Sequence, residues 1–166
     1  MHIRYSKIAM VLSLAAFALL ACFNNMSDYG ANFEFVRHVL AMDTTFPDNR
    51  LMSRAIGSPV AWHAAYWLII AVEGLTGLCL LWGVVQMLAR RRAAAARFEA
   101  AKKWVVIGAT CGFLLWFFGF MAVGGEWFLM WQSPSWNGQD AAFRFYMAIL
   151  GVLVYVSLPE REIENA

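Results

Sequence analysis

Hydrophobic residues in this chain come in long unbroken blocks separated by polar links, not in alternation. Four blocks stand out: Ile8 to about Phe23, about Val60 to Leu88, Trp104 to about Gly124, and Ala141 to about Leu158. A helix that crosses a bilayer needs about 20 mostly apolar residues at ~1.5 Å each, and continuous blocks favour such helices over the alternating strands of a barrel. The pattern predicts an all-α, integral membrane four-helix bundle, with residues 1–166 as one membrane domain.

The links carry a weaker pattern. In the segment 24–59, "NFEFVRHVLAMD" sets Phe33, Val36, Val39 and Leu40 at helical spacing, with Glu34, Arg37 and His38 largely elsewhere. This predicts a short amphipathic helix, with Asp28 or Asn32 as its cap. A second short helix is expected in "DNRLMSRAI", opened by Asp48, with Pro47 between the two. Gly57-Ser58-Pro59 ends the segment and starts the second span. Such helices lie at a membrane interface or cap a bundle.

Composition agrees with the pattern. The chain is 61% hydrophobic, 16% aromatic and only 14% charged, against roughly 25% charged residues in soluble domains. Basic residues then set an orientation. Arg4 and Lys7 precede the first span, Arg90, Arg91, Arg92, Arg97, Lys102 and Lys103 crowd the link 89–103, and Arg161 follows the fourth span. Nine of the thirteen basic residues thus fall on one side, with Arg37, Arg50 and Arg54 on the other and Arg144 inside the fourth span. Both termini are expected in the cytoplasm, in a bacterial inner membrane. The basic link is read as a topology determinant that meets lipid headgroups, and nucleic acid is not an expected partner.

Cys22 complicates the first block, because "MHIRYSKIAMVLSLAAFALLAC" has the layout of a lipoprotein signal. Leu20, however, stands two residues before the cysteine, where such signals usually carry a small residue. Retention as a spanning helix is the expectation. Cys22, Cys79 and Cys111 all fall in apolar segments with no C-x-x-C pair, so neither a disulfide framework nor a zinc site is signalled.

Glu73 is the outstanding candidate for chemistry, near the middle of the second span. A charged residue there costs at least about 2.5–3.5 kcal/mol on insertion scales, so it should face protein or a water cavity. It is either neutral or ionised beside a cation. Arg144, the lone basic residue within a span, can reach toward it if the helices are neighbours, or snorkel outward to Asp140, Glu126 or headgroups. The structural reading is a polar clamp between helices; the functional one is proton or cation handling.

The external face gathers further candidates: Asn25, Asp28, Tyr29, Asn32, Glu34, His38, Asp43, His63, Trp131 and Trp136. Trp127, Trp131 and Trp136 read as an aromatic belt, or as anchors for a partner protein. Glu34 and His38 have the i, i+4 spacing of a weak metal site, but ordinary interfacial hydrogen bonds are the favoured reading. A haem held by His38 and His63 would need the external loop to fold back. Gly108 and Gly112, with Gly119 on roughly the same face, and Gly74 with Gly77, suggest close helix packing. No catalytic triad, phosphate loop or nucleotide fingerprint is present, so no catalytic residue, metal or cofactor is expected.

The stretch "NNMSDYGANFEFVRHVLAMDTTFP", Glu73 in the second span, and "WNGQDAAFRF" leading into the fourth resemble a bacterial family of predicted small integral membrane proteins, domain of unknown function 2165. The resemblance implies a four-span inner-membrane protein whose first helix is retained, and it supplies no reaction. Three functions are then in contention. The first is a non-enzymatic accessory or scaffold subunit that associates with other membrane subunits or with itself. The second is a small oligomeric transporter or ion conduit using Glu73 and Arg144. The third is a binder of quinone, lipid or haem.

Overall fold

The computed structural model describes residues 1–160, so Arg161 lies outside the described residues. Four helical runs are long and apolar enough to cross a membrane: His2–Ser27, Pro59–Ala89, Ala95–Trp127 and Gln139–Ser157. The first is α1 (His2–Ser27), the second α3 (Pro59–Ala89) and the fourth α6 (Gln139–Ser157). The third run is composite, with α4 (Ala95–Ala101), α5 (Lys103–Phe113) and a π-helix (Leu114–Trp127). Between α1 and α3 lies α2 (Tyr29–Ala41).

The spans pack in sequence order and close on themselves. α1 lies on α3, α3 on α5, α5 and the π-helix on α6, and α6 back on α1. An even number of crossings brings the termini to one end, where Lys7 Nζ meets Glu160 Oε1 at 2.6 Å. Lipid tails are as apolar as leucine, so close van der Waals contact, not a hydrophobic drive, must hold such helices together. Glycines supply that closeness. A Cβ on Gly108 would lie 3.0 Å from the Leu80 nitrogen, one on Gly83 3.0 Å from the Val105 nitrogen, and one on Gly77 3.0 Å from the Leu19 nitrogen. Gly112 likewise abuts Thr76 and Ile149. Gly119 departs from the expected face, since a Cβ there would meet nothing nearer than 3.9 Å.

The core follows the contacts. One apolar cluster near the terminal end includes Val11, Leu80, Met87, Phe98 and Val105. A second, higher in the bundle, includes Ala109, Trp116, Ala142, Tyr146 and Ile149. Large apolar side chains such as Leu12, Leu78, Trp82, Phe118 and Val154 stay exposed, as a lipid-facing surface requires.

Three expectations need correction. Helix α1 runs through Cys22 to Ser27, four residues beyond the expected end, so Asn24 and Asn25 belong to its last turns. Neither Asp28 nor Asn32 caps α2 through its side chain. Asp28 is the bend between two almost continuous helices; its N–H still donates to the Asn24 carbonyl at 2.8 Å. The second external helix shrinks to a single 3-10 turn, Met52–Arg54. There Asn49 Oδ1 accepts from the Leu51 N–H at 2.9 Å, a local side-chain turn that competes with helix. The Ile56 N–H then donates to the Leu40 carbonyl and ties the strand-like return to α2. At the start of α3 the expected boundary holds: Ser58 caps it through Oγ and Pro59 occupies its first turn.

The terminal end holds a buried ion cluster. Lys7, 1% exposed, donates to the Leu158 carbonyl and to Glu160. Arg4 donates to Glu160 Oε2 at 3.3 Å and to the Arg91 and Ala93 carbonyls, and its guanidinium covers the Phe98 ring. Lys102 joins Glu160 and Glu99, both at 3.0 Å. Burial alone would raise the Glu160 carboxyl, but hydrogen bonds from Lys7 and Lys102, with their charges, outweigh it and hold Glu160 below its ordinary range. Residues that read as topology signals are therefore also the staple that joins α1, the basic link and the chain after α6.

Candidate functional site

At the opposite end α2 packs across α3 and α1. Its inner face packs Val36 with Tyr66 and Ile70 of α3. Its far side meets the link before α6, where His38 stacks on Trp136 with centroids 4.6 Å apart and Phe35 lies against Gly138. Beneath this roof are two cavities, of about 500 and 440 Å³, within the size range of small-ligand sites. Phe35, Val36, Ile69 and Phe120 line both, and so form the wall between them.

The larger cavity lies between α3 and the π-helix. Its lining is apolar, with Leu68, Val72, Leu114, Phe118 and Val123 among its side chains. The π-helix is wider than an α-helix, and its hydrogen bonds reach back five residues, as from the Phe128 N–H to the Val123 carbonyl at 3.0 Å. Such windings recur at functional sites.

The smaller cavity carries the polar groups. Glu73, only 5% exposed, forms part of its wall. Asn25 Nδ2 donates to Glu73 Oε2 at 2.8 Å, and Asn32 Nδ2 donates to Asn25 Oδ1 at 2.7 Å. The Tyr66 hydroxyl donates to the Asn25 carbonyl at 3.4 Å. α1, α2 and α3 thus contribute one residue each to a chain of amides that ends on the carboxyl. No other hydrogen bond reaches the Glu73 carboxyl among the described residues. Phe17, Leu20 and Ala21 of α1 and Ala141 and Phe145 of α6 continue the lining, with Asn24 beside them. Leu20, Asn24 and Ala141 are exposed, so the cavity reaches the molecular surface between α1 and α6.

Arg144 is exposed on α6, and no ion pair joins it to Glu73 among the described residues. The partner of Glu73 within the chain is Asn25. The remaining candidates divide into separate clusters. Tyr29 Oη and His63 Nδ1 lie 2.8 Å apart, with Phe33 stacked on the His63 ring at 4.2 Å. Burial pushes the Tyr29 phenol up, which keeps it protonated and able to donate. Glu34, Arg37, His38 and Asp43 form a surface network in which Arg37 bridges to Glu34 at 2.7 Å and His38 Nδ1 meets Asp43 at 2.8 Å. His38 and His63 therefore sit in different clusters. Among the described residues no three His, Cys, Asp or Glu side chains converge as a metal site would require. Trp136 packs α2 and is not a free belt residue, while Trp131 stays exposed, edge-on to Phe46. Asp28 is exposed at the α1–α2 bend.

Sequence reasoning passed over Tyr66, Asn24, Trp116 and Phe145 as site residues. One signal was present: Tyr66 and Glu73 are seven residues apart, two helical turns on one face. A closed ring of four apolar helices, roofed at one end and holding a buried carboxyl on the wall of a cavity, defines an α-helical integral membrane protein. The chain matches the family described as predicted small integral membrane protein (DUF2165) over residues 3–159, and it belongs to that family. The matched region takes in all four spans and both cavities. No curated protein and no solved structure shows significant similarity to it.

Proposed function

We propose that this protein is a non-enzymatic binder of an amphiphile drawn from the membrane, with the polar head beside Glu73 and the tail leaving between α1 and α6. The observation that carries the reading is the mixed lining of the smaller cavity. Glu73, Asn25, Asn32 and Asn24 share its wall with Phe17, Leu20 and Phe145. Ligand sites combine such an apolar lining with a few placed polar groups. The distribution of basic residues supports a bacterial inner-membrane setting with both termini in the cytoplasm, which puts the α2 roof and the cavity in the outer half of the bilayer.

Two competing readings have less support. The conduit reading needs Arg144 and Glu73 to cooperate, whereas Arg144 is exposed and Glu73 is held by Asn25. The accessory-subunit reading drew on glycine faces, and Gly77, Gly83, Gly108 and Gly112 are filled by the chain's own helices. Association with other subunits would have to use other surfaces, such as exposed Trp131 and Phe46.

Extraction in mild detergent, followed by organic extraction and mass spectrometry, tests the proposal. The wild type is expected to retain an amphiphile near one per chain. Ala21→Phe, which fills the cavity beside Phe17, is expected to lose most of it. An empty wild-type protein, or equal retention in Ala21→Phe, overturns the proposal.

A further inference from the structure

Glu73 is the one acid on the wall of the smaller cavity. Glu73 has an oxygen left after Oε2 takes the Asn25 amide, and no further partner among the described residues. Asn32 gives Nδ2 to Asn25, which leaves its Oδ1 as an acceptor on the cavity wall. The Tyr66 hydroxyl is directed to the Asn25 carbonyl. Asn24 is exposed and keeps its whole amide, and Asn25 and Asn32 keep one amide hydrogen each, so the wall around the acid offers donors as well as acceptors. At Glu73 itself the open carboxylate oxygen asks for a donor.

It also asks for a positive charge. A buried carboxylate is costly unless paired, and an ionised Glu73 finds no cation of the chain beside it among the described residues. Arg144 is exposed, and the buried cations Arg4, Lys7 and Lys102 are held by Glu160 at the other end of the bundle. Trp116, Phe17, Phe120 and Phe145 surround the remaining space, and aromatic faces add attraction for a cation. Acceptor-only heads, such as a quinone carbonyl or a phosphate oxygen, would set lone pairs against the carboxylate. A primary ammonium has three N–H donors and a positive charge, and so meets both demands.

Resting on the amphiphile reading above, we infer that the ligand is a primary ammonium carried on an apolar tail, bound by Glu73 with Asn32 and Asn24 as additional acceptors. Two sources share this chemistry: a membrane lipid with an ethanolamine head, and a free long-chain amine.

The test titrates delipidated protein by native mass spectrometry with phosphatidylethanolamine, phosphatidylcholine, dodecylamine, dodecyltrimethylammonium and dodecanol. The primary amines are expected to bind about tenfold or more tightly than the trimethylated and neutral analogues, the worth of a hydrogen bond to a charged group. Binding of both amines points to the lipid source, and binding of dodecylamine alone to a free amine. Glu73→Gln keeps an oxygen for Asn25 and is expected to erase the preference. Asn32→Ala, should Glu73→Gln not fold, is expected to reduce it severalfold. Equal affinity for trimethylated or neutral heads, or a preference that survives Glu73→Gln, overturns the amine assignment. If neutral heads bind and Ala21→Phe blocks them, amphiphile binding stands without the amine; if no arm binds, both proposals fall.

Discussion

Asn25 on α1 and Glu73 on α3 are 48 positions apart in the chain, yet their side chains meet at 2.8 Å inside the bundle. The amide gives one N–H to the carboxyl, and its oxygen takes an N–H from Asn32. One short polar residue thus fixes α1, α2 and α3 relative to one another.

Asn25→Ala should therefore cost more than the loss of one hydrogen bond. It leaves the buried Glu73 Oε2 without a partner, at a further cost of about 1–3 kcal/mol, and releases the exposed Asn32 from α1. Thermal melting in detergent is expected to show a clear drop, with Glu73→Gln affected much less because its amide oxygen can still accept. An unchanged melting point for Asn25→Ala would count against the clamp.

Helix spacing gives a paired prediction. Gly83→Ala and Gly108→Ala force methyl groups to within about 3 Å of backbone on the facing helix, and overpacking of this kind typically costs 1–3 kcal/mol. Gly151→Ala on α6 meets nothing within 4 Å and should be neutral or stabilising by roughly 0.5–1 kcal/mol. Reversible unfolding in mixed micelles measures both, and equal effects at buried and open glycines would contradict the packing described.

The terminal cluster predicts a pH dependence. Glu160 is held below its ordinary value of 4.5, so its stabilising contribution is fully present above about 4.5. It is lost as pH falls through the lower folded-state value, when the carboxylate protonates. Melting curves between pH 7 and pH 3 should contain this loss, and Glu160→Gln should remove that component. Glu160→Ala at neutral pH leaves Arg4, Lys7 and Lys102 without their shared partner, at a cost of about 3–5 kcal/mol.

The roof makes a further prediction. Trp136→Ala removes the ring on which His38 stacks and which packs near Phe35, so α2 loses one of its holds on the link before α6 and keeps the contact of Phe35 with Gly138. Amide hydrogen exchange in α2 is expected to accelerate while exchange in the middle of α3 is unchanged. Uniform acceleration would show that α2 is not a separately held element.

Much of this architecture was legible because hydropathy decides which segments can cross a bilayer, whatever they touch. The four spans and α2 followed from hydrophobic periodicity. The site was harder. Arg4 and Lys7 look like topology signals in the sequence, and nothing local says that they are buried against Glu160 more than 150 positions away. Asn25 stands among the external-face candidates in the sequence, and nothing local pairs it with a carboxyl 48 positions on. The turn at Met52–Arg54 kept helix-like residues, but the Asn49 side chain and the return to Leu40 redirected its backbone. The wide winding of Leu114–Trp127 had no warning beyond its three glycines, Gly119, Gly124 and Gly125.

The contact between Lys7 and Glu160 joins positions 153 apart. During synthesis, α1 enters the membrane long before its counter-ion exists, so Arg4 and Lys7 must first be satisfied by water and headgroups. Only after the fourth helix has been made can Glu160 draw them out of that layer. The ring of helices is therefore latched only after all four spans have been made, and a ribosome product arrested before Glu160 would carry every span without this latch.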